Sequence, residues 1–236
     1  MSNKYGPKIV TDGLVLCLDA AYKKSYPGSG TTWYDSSGYD NHGTLTNGPT
    51  YNSENGGSIV LDGADDYIDF SSGVVDSSYT ALTVEVWFNT LTSGTECLVE
   101  NGSSYLLNSF YMFKENSTQL TFLVQSGAAY NVRFCSTTYS TNTWYHFVGV
   151  WSAGVSPNIY LNGVLKNGTL QGNAGGDGTI STLRDGNANL NLGRRPYLTG
   201  QYYFEGSIPS SRIYNRALSS AEILQNYNAT KERYGI

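Results

Sequence analysis

Charge is scarce in this sequence, and its scarcity excludes several kinds of protein at once. Asp, Glu, Lys and Arg make up only 14% of the 236 residues, against roughly 25% in ordinary soluble domains. The 14 basic residues are outnumbered by 19 acidic ones, for a formal net charge of −5. No basic stripe appears along the chain, so a nucleic-acid partner is not expected. Cysteine is nearly missing too. Cys17, Cys97 and Cys135 are odd in number and far apart, and they form neither a disulfide framework nor a metal-ligand spacing. Cys17 lies in the apolar run LVLCL and reads as a buried thiol. Histidine occurs twice, at His42 and His146. There is no G-x-S-x-G elbow, and the glycine-rich stretch from Gly172 to Thr179 lacks the Lys-Ser/Thr that a phosphate loop needs. No apolar run approaches 18 residues, which excludes membrane insertion by a helix. The opening MSNKYGPKIV has no apolar segment of the signal-peptide kind.

What fills the space is Gly (27), Tyr (20), Ser, Thr and Asn, the usage of a strand-and-turn protein. Short alternating runs recur from Leu14 to Tyr214. Leu14–Asp19 is apolar on both faces and should be buried. Residues 58–62 and 67–70 read as two strands joined by Gly63-Ala64-Asp65-Asp66. In 81–89, Leu82, Val84, Val86 and Phe88 face one way and Thr83, Glu85, Trp87 and Asn89 the other. Further strands are expected at 96–100, 105–107, 110–114, 120–125, 130–135 and 190–193. Residues 144–151 should be central, with aromatics on both faces. Strands 158–161 and 164–166 flank Asn162-Gly163, the strongest hairpin signal in the chain. The segments 23–55 and 168–189 read as turn-rich loops. In the last strand, Ile208, Ser210, Arg212 and Tyr214 fall on one face.

One helix closes the chain. Ser219 is a good N-cap, Glu222 completes a capping box and Leu218 can staple onto Ile223, with Ile223, Leu224, Tyr227 and Tyr234 as the apolar stripe. The expected fold class is all-β: one antiparallel β-sandwich over residues 11–236 with a short C-terminal helix, preceded by an arm, residues 1–10.

The C-terminal run F-x-G-x-I-x-x-x-R-I-Y-N-R-A-L-S-x-x-E-I resembles the end of laminin-G-like (concanavalin A-like lectin/glucanase) domains. The opening GPKIVTDGLVLCLDAAYKKSYPGSGTTWYDSSGYDNHGTL and the tail LQNYNATKERYGI resemble such domains in structural proteins of tailed marine phages, T4-like cyanophages above all. The resemblance covers nearly the whole chain. It implies a jelly-roll sandwich and a virion protein, a capsid decoration or fibre-like module made in host cytoplasm without a leader. Partners would be other virion proteins such as the major capsid protein. The alternative is a lectin-like module that recognises host surface glycans.

Site expectations follow from both lines. The loop from Asp35 to Gly43 is rich in oxygen donors, and calcium takes six to eight of them. By resemblance, a D-x-S-G-x-x-N-x-G loop contributes to a calcium site, here Asp35, Asp40 and Asn41, although Pro209 stands where the family often carries an Asp. The alternative is an Asx-turn loop whose side chains cap its own backbone. Asp62, Asp65, Asp66 and Asp69 form a second acidic cluster, read as a hairpin whose carboxylates bind turn amides rather than as a metal site. A glucanase of this superfamily would need carboxylates alternating on one strand, and Glu85 stands alone in TVEVWFN, so no enzyme is expected. Arg194, Arg195, Tyr197, Tyr202 and Tyr203 are the residue types of binding hot spots and sugar-stacking platforms, the other reading being a Tyr-rich loop packed on itself. In the arm, Tyr5 and Ile9 are the candidates for anchoring to a capsid surface.

Overall fold

A computed structural model describes residues 8–70, 73–102, 108–116, 119–126, 129–135, 138–172, 180–183, 189–196 and 202–236. The strands are β1 (Leu14–Asp19), β2 (Thr32–Trp33), β3 (Gly43–Thr46), β4 (Thr50–Asn52), β5 (Ser58–Asp62), β6 (Tyr67–Asp69), β7 (Ala81–Thr90), β8 (Glu96–Gly102), β9 (Asn108–Glu115), β10 (Gln119–Ser126), β11 (Ala129–Cys135), β12 (Trp144–Ser152), β13 (Val155–Leu161), β14 (Val164–Leu165), β15 (Asn167–Gly172), β16 (Leu190–Leu192) and β17 (Glu205–Tyr214). Helix α1 spans Ser220–Thr230, and a 3₁₀ turn, Lys231–Tyr234, follows it. The expected strand at 105–107 lies outside the described residues.

The strands form an antiparallel two-sheet sandwich. An eight-stranded sheet runs β14-β13-β12-β7-β17-β5-β4, with β1 also paired to β17, and a nine-stranded sheet runs β15-β11-β10-β9-β8-β16-β6-β3-β2. Alternation puts Leu82, Val84, Val86 and Phe88 of β7 into the core between the sheets, where they meet Phe110, Met112, Leu120, Phe122 and Val124 of β9 and β10. The sheets approach closely at Gly149, where a Cβ would lie 2.5 Å from the Phe122 ring. The Asn162-Gly163 turn joins β13 to β14 with both residues at positive φ (52° and 77°), as a type I′ hairpin requires.

Three expectations about the strands change. Residues 58–62 and 67–69 are not a hairpin: β5 pairs in the smaller sheet and β6 in the larger, so the Asp-rich turn carries the chain across the sandwich. The presumed loops at 23–55 and 168–189 contain β2, β3, β4 and most of β15, short segments whose pairing is set by long-range contact rather than by periodicity. In β17 the alternation breaks. Ile208 and Ile213 both enter the main core, while Tyr214 lies on the outer face. The register shifts between Ser207 and Ser210, and Pro209, which has no N–H to give to the ladder, sits in that bulge. Beyond the bulge, β17 exchanges β5 for β1 as its second neighbour.

Helix α1 covers the outer face of the smaller sheet. Ile223 and Leu218 join Val10, Leu14, Cys17, Val148, Val150 and Tyr214 in a second core, with Ile9 packed against it. The helix stripe differs from expectation: Leu224 is largely exposed, and Asn226 is buried in its place. Asn226 accepts from Val10 N at 2.7 Å and donates to Glu85 Oε1 at 2.7 Å and Tyr214 Oη at 3.0 Å. Trp87 donates to Thr230 Oγ1 at 3.0 Å, and its ring centroid lies 4.3 Å from that of Tyr234. Among the described residues no helix is long and apolar enough to cross a membrane.

Candidate functional site

Three regions hold the expected site residues, and they differ in what they leave free. In the Asp35 loop, Oδ1 accepts from Cys17 N (2.8 Å) and Ser37 N (2.9 Å). Its Oδ2 accepts from Ser37 Oγ (2.6 Å) and Asn41 N (3.1 Å). Asn41 turns its amide inward and donates Nδ2 to Val15 O at 2.8 Å. Both carboxylate oxygens of Asp35 are spent on the chain's own donors, and Asp40 is exposed at φ 58°. These residues do not fit a calcium ion, which would need six to eight oxygens. The loop is an Asx-type clamp on β1.

In the second acidic cluster, Asp62, Asp65 and Asp66 place carboxylate oxygens within 4.8 Å of one another. Asp62 Oδ1 accepts from the amides of Ala64, Asp65 and Asp66, which holds its carboxyl below the usual range. Burial and the neighbouring Asp62 push Asp66 up. Their geometry is that of a turn stabilised by its own side chains.

The outer face of the nine-stranded sheet is different. Because Leu190, Leu192, Ile68, Phe110 and Met112 point into the core, the alternate residues point away from it. Register then aligns one row across five strands. Asp69 stands opposite Asn191, Asn191 opposite Glu100, Glu100 opposite Tyr111, and Tyr111 opposite Leu123. One step along, Phe113 stands opposite Cys97 and Thr121.

Two arginines are laid over this row by the turn after β16. Gly193 makes that turn at φ 84°, and a Cβ there would collide with Leu61 Cδ1, so only glycine fits. The Arg194 guanidinium carbon lies 3.4 Å from the Tyr67 ring centroid, its Nε donates to Asn191 Oδ1 at 2.9 Å, and it approaches Asp69 at 3.9 Å. Arg195 lies over Tyr111 (4.9 Å) and Phe113 (5.3 Å), with Glu100 at 3.5 Å. Tyr202 packs its ring on Phe113 at 5.6 Å while remaining 37% exposed. Beneath, burial and the neighbouring Glu100 push the Cys97 thiol well above its ordinary range, so it is an inert floor.

Arg194, Arg195 and Tyr202 are therefore brought together, but through Tyr67, Tyr111 and Phe113 of the sheet rather than through their own loop. Tyr203 is half-buried nearby in sequence. Tyr197 and Tyr5 lie outside the described residues. Ile9 packs on the second core, and the neighbouring Lys8 carbonyl accepts from Gln225 Nε2 at 2.7 Å, so residues 8–10 are fastened to α1. The row Asp69, Asn191, Glu100, Tyr111 escaped the sequence reading. Its signal was present in FYMFK, where two aromatics alternate with two core residues. Tyr111 meets Phe113, and Phe113 meets Tyr202, edge to face (68° and 72°), and Phe113, Arg195, Asn191 and Glu100 are buried. What this region turns outward is Tyr202 with the partly exposed Tyr67, Tyr111 and Arg194, residue types that suit a sugar's apolar ring face and rim of hydroxyls.

The family model described as the concanavalin A-like lectin/glucanases superfamily, laminin G type, matches residues 62–224. No curated protein matches. Among solved structures, the chain is similar to the ligand-binding domain of botulinum neurotoxin serotype D in complex with N-acetylneuraminic acid (TM-score 0.67, 17% identity, 92% of this chain and 51% of that one). It is also similar to the binding domain of botulinum neurotoxin DC in complex with SialylT (TM-score 0.67, 13% identity, 93% and 52%). A third is the Trypanosoma rangeli sialidase in complex with the inhibitor DANA (TM-score 0.66, 16% identity, 95% and 34%). The chain thus spans about half of the toxin domains and a third of the sialidase. At these identities the likeness is one of fold.

Proposed function

From the premise that this chain belongs to the concanavalin A-like lectin/glucanase superfamily through its laminin-G-type domain, we propose that it is a glycan-binding module that catalyses nothing. The observation that carries the reading is what the outer face of the larger sheet leaves open: Arg194 stacked on Tyr67, with Tyr202 exposed at the margin, above a layer in which Arg195 and Phe113 are buried. The toxin domains in complex with N-acetylneuraminic acid and with SialylT lend support as neighbours in fold. Against catalysis stands the placement of the carboxylates. Glu85 is sealed beneath α1 and held by Asn226. Glu100 is fully buried beside Arg195. Neither flanks an open groove as a glycosidase pair must. No ion enters this reading, since the Asp35 loop spends its oxygens internally.

The finer part of the proposal is the setting. Both chain ends resemble phage structural proteins, and this supports display on a virion, with the major capsid protein as the attachment partner and host glycans as the ligand. Mass spectrometry of purified particles tests the setting, and the protein's absence from them would remove it.

Glycan binding itself is tested on an array of neutral and sialylated glycans, followed by calorimetry on a positive glycan. Arg194→Ala and Tyr202→Ala should each weaken binding about tenfold, which is about 1.4 kcal/mol; because Arg194 also holds the buried Asn191 and stacks on Tyr67, melting curves accompany both titrations so that binding is compared between folded proteins. An array blank for every glycan, or variants that bind as well as the parent, would count against the face.

A further inference from the structure

On the opposite side of the sandwich, an open cavity of about 640 Å³ lies between α1 and residues 8–11. That volume falls in the range of small-molecule sites, roughly 300–1,000 Å³. Its lining includes Cys17 and Asp19 of β1, Arg212 of β17, and Lys8, Thr230 and Arg233. Three cations thus line the cavity beside one lining carboxylate, Asp19, with Glu85 behind Arg212, in a chain whose formal charge is −5. Arg212 is only 1% exposed. Its nearest carboxylate oxygens are Glu85 Oε2 at 3.6 Å and Asp19 Oδ2 at 4.0 Å, both beyond hydrogen-bonding range. Its Nε–H has no partner among the described residues.

The neighbours make up only part of the deficit. Asp19 Oδ1 already accepts from Ala21 N (3.0 Å) and from Arg233 (2.8 Å), and its Oδ2 accepts from Arg233 at 2.9 Å. Glu85 Oε1 is taken by Asn226, and its Oε2, which accepts no hydrogen bond, stands 3.6 Å from Arg212 and 3.7 Å from His146, near enough to offset charge but not to fill the fork. A guanidinium carries five N–H donors in a fixed fork, and burying such donors unfilled is costly. The chemistry that fills a fork is a planar or tetrahedral oxyanion.

We propose that this cavity binds a small molecule bearing a carboxylate or a phosphate, whose oxyanion takes the open donors of Arg212 between Arg233 and Lys8. The site is separate from the sheet face proposed for glycans and does not depend on it.

The full chain is titrated by calorimetry with inorganic phosphate, with glucuronate and with glucose, at constant ionic strength. Saturable binding of phosphate alone assigns a phosphate ligand, and of glucuronate a sugar acid; either result supports the site, and glucose should give no heat. Lys8→Gln with Arg233→Gln removes two of the lining cations; because Arg233 also holds the buried Asp19, thermal melts accompany the titration to separate lost stability from lost binding. The double variant should weaken anion binding about tenfold or more while circular dichroism stays unchanged. A crystal grown with the binding anion should show it on Arg212. The proposal is overturned if neither anion binds, if the double variant binds as tightly as the parent, or if such crystals hold only water on Arg212.

Discussion

The carboxylate of Asp35 accepts four hydrogen bonds, from two strand or loop amides on Oδ1 and from a hydroxyl and a third amide on Oδ2. One of those donors, Cys17 N, belongs to β1, so the side chain ties the loop to the first strand. Asp35→Ala strands donors that cannot all reach water, at a cost of about 1–3 kcal/mol for a buried one. Urea denaturation should show the loss as a lower midpoint with the slope unchanged. Calcium should not alter it. Melting curves in calcium and in chelator should coincide; an ion bound at a hundred times its dissociation constant would instead add about 2.7 kcal/mol. At this scale the sequence displayed the donors and acceptors but not their pairing. The D-x-S-G-x-x-N spacing fits an ion as well as it fits the chain's own amides. What decides is that β1 brings Cys17 N and Val15 O alongside, 18 and 26 residues away from the side chains that bind them.

Helix α1 was legible where its signals were local and illegible where they were not. Ser219 accepts from Glu222 N and Glu222 answers on Ser219 N at 2.8 Å, the reciprocal capping box. Arg216 adds two hydrogen bonds to the Glu222 carboxylate, at 2.7 and 3.2 Å. Asn226 gave no such signal, because its partners Val10, Glu85 and Tyr214 are brought to it by the sheet. Likewise Pro209 was visible as a residue, but the face it reverses in β17 was not. The cap has a pH signature. The Arg216 hydrogen bonds and the Ser219 amide hold the Glu222 carboxyl at about 2, below its ordinary 4.5. A depressed acid stabilises the fold fully above pH 4.5, and that contribution fades as pH falls from 4.5 toward 2. Glu222→Gln can still cap but cannot titrate. The difference in stability between parent and variant should therefore shrink as pH falls through that window. Ser219→Ala should cost about 0.5–2 kcal/mol at neutral pH by freeing helix amides, read by thermal denaturation.

Over the whole molecule, two sheets present two chemistries to opposite sides. Helix α1 closes one outer face over a buried polar network and a cationic cavity, and the other outer face carries stacked guanidinium and aromatic groups. The sandwich was legible because strand periodicity and turn chemistry repeat along the chain. Which strand went to which sheet was not, as the passage from β5 to β6 across the core demonstrates. Nor was the site. Arg194 and Arg195 stood out as residues, yet Tyr67, Asn191, Glu100 and Tyr111 join them only through register across strands distant in sequence. The measurement that bears most directly on the glycan-binding face is an NMR titration of backbone amides with a glycan positive on the array. The shifts should concentrate in β6, β16, β8 and β9 and in Arg194 and Arg195. Shifts confined to β12, β13 and α1, on the far side of the sandwich, would contradict the assignment.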